Sequence, residues 1–248
     1  MRNRLTIAMP YYEAPQMLCK HLETWQNYPD WIQEQLQIIL VDDGSQNFPA
    51  QFVLDIVGWP NIDTKLYRIN EDVPWNHGGA RNLALTHAVD GWILLTDLDH
   101  VILKESLESF LSKPNLRTDT VYVPSRYRQL GVLDWEEIDP HRDSFILTRE
   151  MFWDVGGFDE DFSGYWNGVS HLFRKHLLDQ YDFEVLENCH LTFYDNKLIP
   201  DAQVESLGRK GSAYDIKDNP REYEKMAKRL NKIYKPKNQL RFTWKQQT

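Results

Sequence analysis

Short apolar runs alternate with helical hydrophobic patterns over the first part of the chain, up to residue 96. The runs predict four strands, at residues 5–9, 37–41, 65–69 and 92–96. Between them, apolar residues recur with helical spacing, which predicts helices at residues 15–28, 52–57 and 79–89. Strands that alternate with helices in this way indicate a parallel sheet with crossover helices, so the sequence predicts an α/β fold.

The second half of the chain is less regular. It predicts strands at residues 120–123, 144–147 and 183–186, and helices at residues 104–111, 149–154, 169–179 and 220–234. No internal repeat, low-complexity segment or convincing linker interrupts it, and 248 residues are enough to bury a substantial core. We therefore predict a single domain, in which a body of residues 1–220 is followed by a C-terminal helix and tail of residues 221–248.

Charge is spread unevenly along the chain, whose net charge is −9. Residues 221–248 hold nine Lys or Arg against two Glu, a net charge of +7, so the preceding 220 residues carry −16. An acidic body argues against nucleic acid as the main partner, because phosphate binding needs a basic surface. We interpret the basic tail as a solvated helix with a frayed end. Peripheral contact with anionic lipid or with an anionic acceptor is the alternative.

Cysteine usage and the N-terminal sequence indicate the expected compartment. Cys19 and Cys189 are the two cysteines and lie far apart, so the sequence predicts neither a disulfide framework nor a zinc site. The apolar run after Met1 is too short for a signal peptide or a membrane span. We expect a reducing, cytoplasmic location, which would be the host cytoplasm if the gene is viral.

Polar clusters follow three of the predicted strands, at the carboxyl end where open α/β sheets bind ligands. The clusters are Pro10-Tyr11-Tyr12-Glu13, Asp42-Asp43-Gly44-Ser45 and Asp97-Leu98-Asp99-His100. A single aspartate after a strand commonly caps the next helix and would mean little. Three clusters at consecutive strand ends are typical of a ligand site.

The third cluster contains two aspartates separated by one residue. On an extended segment the carboxylates of Asp97 and Asp99 lie on the same side. Two hard oxygen ligands that leave coordination positions open suit Mg²⁺ or Mn²⁺ carrying a diphosphate. The alternative interpretation is a polar turn after a buried strand.

A glycine-containing segment precedes the predicted helix 79–89. Gly78 and Gly79 permit a close approach of the backbone, and the helix N-terminus favours a negatively charged ligand. Arg81 is then a candidate to clamp a diphosphate oxygen. A surface arginine on the first helical turn is the alternative.

These motifs occur in the order and with the spacing of a known family. Together they resemble the family 2 glycosyltransferases and their GT-A relatives, over about residues 5 to 175. The segment Gly156-Gly157-Phe158-Asp159-Glu160-Asp161-Phe162, followed by Gly164-Tyr165-Trp166, resembles the acceptor-side motif of galactosyltransferase and polypeptide N-acetylgalactosaminyltransferase domains. The resemblance implies a GT-A fold, with a Rossmann-like, mostly parallel central sheet flanked by helices.

The resemblance also implies roles for named residues. The nucleoside pocket would be formed by Pro10, Tyr12, Glu13, Asp42 and Asp43. Further donor contacts would come from Gly78, Arg81, Asp97 and Leu98. Asp97 and Asp99 would hold Mn²⁺ or Mg²⁺. Because GT-A chains commonly supply a late histidine as a third metal ligand, His190 is the candidate for that position.

The chain departs from the family where the catalytic base is expected. The family carries an acidic pair at a helix N-terminus there, but this chain has Asn167-Gly168-Val169-Ser170-His171. His171, Asp159 or Asp161 would replace it as the proton acceptor of an inverting transfer. Alternatively, the reaction retains the anomeric configuration and the departing phosphate takes the proton. A third explanation is that the site binds the donor without efficient transfer.

The remaining parts of the expected site lie further along the chain. Trp166 and Asp159 would meet the acceptor, and the segment 206–215 resembles a loop that covers the donor. In that loop, Arg209 and Lys210 would neutralise diphosphate charge, with a basic surface loop as the alternative.

The sequence therefore predicts a metal-dependent glycosyltransferase. It would move a sugar from a nucleotide-diphosphate donor, expected to be UDP-linked, to a glycan or other hydroxyl acceptor. Two alternatives come from other classes. One is a non-catalytic nucleotide-sugar or glycan-binding module. The other is a sugar-phosphate nucleotidyltransferase, whose glycine- and arginine-rich loop after the first strand is replaced here by Pro10-Tyr11-Tyr12-Glu13.

Overall fold

The structure is a computed structural model that describes residues 4–131, 134–166, 168–203, 214–232, 235–236 and 239–247. Within these ranges the chain forms eight α-helices. They are α1 (Pro15–Gln26), α2 (Asp30–Gln33), α3 (Ala50–Val57), α4 (His77–His87), α5 (Lys104–Ser112), α6 (Arg149–Asp154), α7 (Val169–Gln180) and α8 (Pro220–Leu230).

Strands of the described residues form one large sheet and one two-stranded sheet. The strands are β1 (Leu5–Tyr11), β2 (Leu36–Asp42), β3 (Asp63–Ile69), β4 (Trp92–Leu95), β5 (His100–Ile102), β6 (Thr120–Gln129), β7 (Trp135–Ile138), β8 (Phe145–Thr148), β9 (Tyr165–Trp166), β10 (Asp182–Phe193), β11 (Tyr214–Asp215) and β12 (Trp244–Gln247). The large sheet has the order β12-β3-β2-β1-β4-β8-β6-β10-β5, and β7 pairs with β6.

The centre of the large sheet is parallel, as the sequence predicts. Strand β1 pairs in parallel with β2 on one side and with β4 on the other, and β2 pairs in parallel with β3. Strand β8 joins β4 antiparallel, and β6 then pairs antiparallel with β8 and parallel with β10. The fold is thus mixed α/β, with a mostly parallel central sheet flanked by helices.

The apolar composition of the central strands follows from burial on both faces of the sheet. Ile7 and Met9 of β1 join a core that includes Leu22 of α1, whereas Ala8 joins a second core that includes Leu83 of α4. Alternate residues of a strand point to opposite faces, so a strand covered on both sides must be apolar throughout. Full burial of each large aliphatic side chain contributes about 1.5–3 kcal/mol to folding.

Two helices begin with a proline and are capped by a side chain. Pro220 occupies the first turn of α8, and the Asn219 side chain accepts a hydrogen bond from the Glu222 N–H, as Asn219-Pro220 predicts. Helix α1 also begins with a proline, but its N-cap residue provides no side-chain cap. The Asp201 carboxylate supplies one instead, accepting from the Gln16 and Met17 N–H groups at 2.7 and 2.9 Å.

Several strands differ from the sequence-based prediction. Strands β5, β7 and β12 are not predicted, and β10 extends well beyond the predicted residues 183–186. The interpretation of the tail as a solvated, frayed segment is wrong for Trp244–Gln247, which pair antiparallel with β3. The Trp244 ring contacts Tyr67 and His87, and these aromatic contacts fix the strand on the sheet edge.

Two helix N-termini meet beside the carboxyl ends of the central strands. A Cβ placed on Gly78, in the first turn of α4, would lie 2.4 Å from Cγ1 of Val169, the first residue of α7. Glycine is therefore required for this approach of the two helices. No helix among the described residues is both long enough and apolar enough to cross a membrane.

Candidate functional site

A buried ion pair lies where β4 ends. Arg81 of α4 is fully buried, and its Nη2 donates to Asp97 Oδ1 at 2.5 Å. The guanidinium also lies over the Phe158 ring, 5.4 Å from the ring centre. Its Nε and Nη1 have no hydrogen-bond partner among the described residues. Buried N–H groups without a partner are costly, so an anion that accepts from them would be stabilised here.

Asp99 and two histidines complete the surroundings of this ion pair. His100 Nδ1 lies 2.6 Å from Asp99 Oδ1, and the His100 ring stacks on the His141 ring with 4.3 Å between centres. His141 Nε2 lies 3.7 Å from Asp97 Oδ2. The opposite ring nitrogen of His141 lies 2.9 Å from Ser144 Oγ. The two aspartates of the Asp97-Leu98-Asp99 motif therefore each face one imidazole.

The charges in this cluster determine its protonation. Burial raises the pKa of Asp97, but the neighbouring Arg81 and three imidazoles lower it by more, so that it falls to about 2. Burial lowers the pKa of His141 and of His77 to about 4. Near pH 7 the Asp97 carboxylate is therefore ionised and both imidazoles are neutral.

Asp42 and Glu13 are engaged within the protein. Asp42 accepts hydrogen bonds from the Ser45 and Ala50 N–H groups, at 2.8 and 2.9 Å, and from Arg68 Nη1 at 3.2 Å. Glu13 accepts from the N–H groups of three consecutive residues, 46 to 48. These contacts hold the backbone of the loop that follows β2. The two carboxylates therefore support the predicted nucleoside pocket through hydrogen bonds inside the protein.

The other residues of the predicted pocket surround the same strand ends. Asp43 is buried, and Asn76 Nδ2 lies 3.4 Å from its Oδ1. Pro10 pairs with Val41 within the sheet, and Tyr12 follows β1 as a partly buried residue. The structure thus brings the predicted residues of β1 and β2 together at one edge of the parallel sheet.

The Leu98 main chain is held from the core side. Its carbonyl oxygen accepts a hydrogen bond from the buried His21 Nε2 at 2.6 Å, while its side chain packs in the core. The Asp99 carbonyl accepts from the Tyr194 N–H at 2.9 Å. These two contacts fix the backbone that carries the Asp97 and Asp99 carboxylates.

Gly78 serves internal packing, and its neighbour Asn76 links the two halves of the site. The Gly78 backbone lies against Val169, as described above, so the glycine is needed whether or not a ligand approaches it. Asn76 contacts Asp43 with one side-chain atom and accepts from Ser163 Oγ with the other, at 3.0 Å. The pocket beside β2 is therefore connected to the predicted acceptor motif.

Cations of the C-terminal segment neutralise the acceptor motif. Arg229 of α8 pairs with both Asp159 and Asp161, and Asp161 also pairs with Lys225, at 3.2 Å, and with Arg241. Burial raises the pKa of Asp159. For Asp161 burial also acts to raise the pKa, but the hydrogen-bonded cations hold it well below its usual range. Both candidate bases are thus ion-paired.

Glu160, between these two aspartates, is a further anchor. It is buried and accepts hydrogen bonds from Asn82 Nδ2 and from the N–H groups of Leu240 and Arg241, at 2.7, 2.8 and 2.9 Å. The acidic run of the acceptor motif therefore binds helix α4 and the C-terminal segment.

His171 is exposed in the first turn of α7. Its neighbour Ser170 lies with Oγ 3.0 Å from His77 Nε2, which joins the start of α7 to the start of α4. Trp166 belongs to β9, just before this turn. The turn that carries His171 is therefore adjacent to the Gly78–Arg81 segment, while the His171 side chain faces outward.

The structure does not bring His190 to the aspartate motif. The residue that bonds to the Asp99 carbonyl is Tyr194, directly after β10, and His190 lies four residues earlier in the chain, about 13 Å away along the strand direction. The His190 ring packs edge-on against Tyr127. Across the described residues, no three His, Cys, Asp or Glu side chains are already grouped as a metal site made by the protein alone would be. Arg209 and Lys210 lie outside the described residues.

Sequence reasoning assigned no role to the two histidines that do reach the aspartates. His100 belongs to the strand-end cluster Asp97-Leu98-Asp99-His100, and its position directly after the motif is the signal that could have identified it. His141 lies in an irregular segment between β7 and β8, and no periodicity or motif marks it. Only the pairing of β8 with β4 places this segment beside Asp97.

Comparison with known families gives one match over most of the chain. The model of the family described as glycosyl transferase family 2 matches residues 6–173. A search of curated protein sequences found no match.

Solved glycosyltransferase structures share the fold. Residues 1–349 of S. aureus TarS in complex with UDP are 17% identical, with a TM-score of 0.57 and coverage of 77% of this chain and 60% of that one. The mannosyltransferase PcManGT from Pyrobaculum calidifontis, with GDP-Man and Mn²⁺, is 17% identical, with a TM-score of 0.55 and coverage of 77% and 57%. GalNAc-T7 with UDP, GalNAc and Mn²⁺ is 14% identical, with a TM-score of 0.58 and coverage of 78% and 44%.

At these identities the likeness concerns the fold alone. The aligned part also spans no more than 60% of the length of each of these three chains.

Proposed function

The chain belongs to glycosyl transferase family 2, and on that basis we propose that it transfers a sugar from a nucleoside-diphosphate donor, expected to be UDP-linked, to a hydroxyl of a glycan or similar acceptor. One observation carries the proposal. The buried Arg81 pairs with Asp97 at the carboxyl ends of the parallel strands and retains N–H groups without a partner among the described residues. Such N–H groups suit the oxygens of a diphosphate.

Two solved neighbours support a nucleotide-sugar donor. TarS has been solved with UDP and with UDP-GlcNAc, and PcManGT with GDP-Man. Both share the fold of this chain, in which Asp43, Asp97 and Asp99 follow the carboxyl ends of the parallel strands. UDP is our expectation because the strand-end motifs resemble those of UDP-sugar enzymes.

A divalent cation fits the donor atoms at this edge. Asp97 Oδ1 accepts from Arg81, Asp97 Oδ2 is directed to the other side, and one residue separates Asp97 from Asp99. Carboxylate oxygens suit Mn²⁺ and Mg²⁺, and two solved neighbours contain Mn²⁺. Asp97 and Asp99 would hold the cation, which when bound supplies positive charge to a departing diphosphate. Arg81 would add a fixed positive charge from the opposite side.

His171 is our proposed proton acceptor on the acceptor side. Its ring is exposed in the first turn of α7, so an acceptor hydroxyl can reach it. Asp159 and Asp161 are the alternatives, but both carboxylates are engaged in ion pairs with Arg229, and the cations around Asp161 lower its pKa. If the product retains the donor configuration, the leaving phosphate takes the proton and no side-chain base is needed.

A non-catalytic nucleotide-sugar or glycan-binding module is the second candidate function. The observation that favours it is the ion pairing of both carboxylates of the acceptor motif, together with the lack of an acidic residue from Asn167 to His171. Such a protein would bind the donor through the same strand-end residues and would release no nucleotide.

Nucleotide release distinguishes the two candidates. The chain is incubated with Mn²⁺ and a panel of UDP- and GDP-sugars, with and without mono- and oligosaccharide acceptors, and the free nucleoside diphosphate is measured. Transfer predicts release that an acceptor accelerates, and a binding module predicts thermal stabilisation by a donor without release. The proposal is wrong if no nucleotide sugar is either bound or consumed. Product NMR then decides between inversion and retention.

A further inference from the structure

The His141 imidazole faces Oδ2 of Asp97, the carboxylate oxygen that Arg81 does not contact. His141 lies in the segment between β7 and β8, and its side chain is 19% exposed. Nε2 is 3.7 Å from Asp97 Oδ2, which is longer than a hydrogen bond. The two atoms therefore face each other without forming a direct hydrogen bond.

The orientation of the His141 ring is fixed from behind. Nδ1 lies 2.9 Å from Ser144 Oγ, and that hydroxyl lies 3.2 Å from Thr96 Oγ1, next to Asp97 in the chain. In the tautomer in which Nδ1–H donates to the serine hydroxyl, Nε2 carries a lone pair toward Asp97. Metal-bound histidines are held in this way, with the second ring nitrogen bonded to an oxygen.

The other contacts of His141 and Asp97 leave the gap between His141 Nε2 and Asp97 Oδ2 available to an additional group. The His100 ring stacks on His141 but directs Nδ1 to Asp99. Arg81 occupies the other oxygen of Asp97. An ion about 2.1 Å from each of two ligand atoms allows those atoms to be up to about 4.2 Å apart, so a separation of 3.7 Å can be bridged by one ion.

We propose that His141 is a protein ligand of the divalent cation at Asp97, in the position that the sequence assigns to His190. The inference rests on the proposed function, which requires a cation at this edge. Asp99, the nucleotide and water would supply the remaining ligands. Because imidazole nitrogen suits transition metals better than Mg²⁺, a ligand set that includes His141 should favour Mn²⁺ over Mg²⁺.

Electron paramagnetic resonance of Mn²⁺ tests the proposal without relying on activity. The full chain is titrated with Mn²⁺, alone and with UDP, and the signal of free Mn²⁺ gives the affinity. Loss of a residue that only supports a metal ligand weakens metal binding by roughly 10–100-fold. His141→Ala, which removes a ligand itself, should weaken Mn²⁺ binding by at least as much. Pulsed measurements should detect coupling of Mn²⁺ to a ¹⁴N nucleus in the unaltered protein, and this coupling should be absent from His141→Ala.

Two further variants serve as controls. His190→Ala removes the competing histidine and should leave both the Mn²⁺ affinity and the ¹⁴N coupling unchanged. His141→Gln offers an amide oxygen, so it should lose the ¹⁴N coupling and narrow the preference for Mn²⁺ over Mg²⁺. Thermal unfolding of each variant shows whether it remains folded.

The outcomes separate the two proposals. If the unaltered chain binds UDP with Mn²⁺ and His141→Ala binds both equally well, the inference is wrong and the proposed function stands. Loss of the ¹⁴N coupling in His190→Ala would also overturn it, in favour of His190. If the unaltered chain binds neither Mn²⁺ nor any nucleotide, both proposals fail.

Discussion

Asp97 has a different neighbour on each of its carboxylate oxygens. Arg81 donates to Oδ1, and the His141 ring faces Oδ2. Because the arginine is fully buried and cannot lose its charge, the carboxylate is held ionised. An ionised carboxylate with one side directed toward the outside is the arrangement that a cation-binding group needs.

Asp99→Asn tests the cation-binding motif. The substitution keeps the shape of the side chain but removes one negative charge from the site, so Mn²⁺-dependent UDP binding should be lost while the fold persists. Calorimetric titration of UDP with Mn²⁺ or with EDTA measures the effect. Asp90→Asn, at a side chain that is 92% exposed, is the matched control and should bind as the unaltered chain does. Undiminished Mn²⁺-dependent affinity in a folded Asp99→Asn variant would exclude Asp99 as a ligand.

Asp42 and Asp43, which the sequence treats alike, should behave differently. Asp42→Ala leaves the N–H groups of Ser45 and Ala50 and one N–H of Arg68 without their acceptor, at a cost of about 1–3 kcal/mol of unfolding free energy. Asp43→Ala should instead weaken UDP binding with a smaller loss of stability. Urea denaturation and UDP titration of both variants provide the comparison. Equal effects on stability would contradict the distinct roles.

His171→Ala tests the proposed proton acceptor. The substitution should reduce transfer by roughly 10²–10⁴-fold, because the sugar hydroxyl loses its base, while donor binding survives. Transfer at a near-normal rate would assign His171 a structural role and direct attention to Asp159 and Asp161.

The candidate site could be predicted from the sequence only where a motif is continuous. Asp97 and Asp99 follow a buried strand directly, and their proximity to Asp43 follows from parallel pairing. The location of His141 depends on antiparallel pairing of β8 with β4, which no local pattern encodes. The prediction of His190 rests on the resemblance to GT-A chains with a late histidine, and the register of β10 places His190 away from the motif.

At the scale of elements, apolar strands could be predicted from the sequence, whereas strands that depend on pairing with a neighbouring strand could not. Residues of β1, β2 and β4 are buried on both faces, so their apolar runs predict them. Strand β12 has the sequence Trp-Lys-Gln-Gln, and its conformation comes from hydrogen bonds to the edge of β3. Strand β7 is mostly exposed and depends in the same way on β6.

Helix α8 should contribute to stability through Arg229. Asp159 is 3% exposed and Arg229 16%, so removing the guanidinium leaves a buried carboxylate without its main partner. Arg229→Ala should lower the free energy of unfolding by about 3 kcal/mol, the low end of the roughly 3–5 kcal/mol that breaking a buried ion pair costs. The low end is expected because Lys225 and Arg241 still neutralise Asp161. Chemical denaturation measures the change.

Lys228→Ala is the control on the same helix. Lys228 pairs with Glu224 but is 69% exposed, so its removal should change the unfolding free energy by less than about 0.5 kcal/mol. If Arg229→Ala is equally mild, the ion pairs of α8 do not anchor the acceptor motif.

At the scale of the whole molecule, the opposite charges of the body and the C-terminal segment are brought into contact. Residues 221–248 carry +7 against −16 for the rest of the chain. Arg229, Lys225 and Arg241 of this segment pair with the acceptor motif, and Glu71 accepts from the Thr243 N–H. Composition alone indicated a basic tail that could meet a lipid or an acceptor. In the structure, part of that charge neutralises carboxylates of the same chain.

This internal pairing should make the stability of the molecule depend on pH through Asp161. Its pKa in the folded protein is held well below the ordinary value of about 3.9 by Arg229, Arg241 and Lys225. A depressed pKa means that the carboxylate stabilises the fold above pH 4 and that this contribution is lost as the pH falls through the folded-state value. Asp159, whose pKa burial raises, acts in the opposite direction, so total stability does not isolate the effect.

Comparison of the unaltered chain with Asp161→Asn isolates the contribution of the Asp161 charge to stability. Urea denaturation from pH 7 to pH 3 should show the unaltered chain more stable than the variant above pH 5. The difference should shrink below about pH 4, where Asp161 becomes protonated in the unfolded chain and then in the folded one. A difference that stays constant over this range would mean that Asp161 contributes through packing, and that its charge does not hold the C-terminal segment on the body.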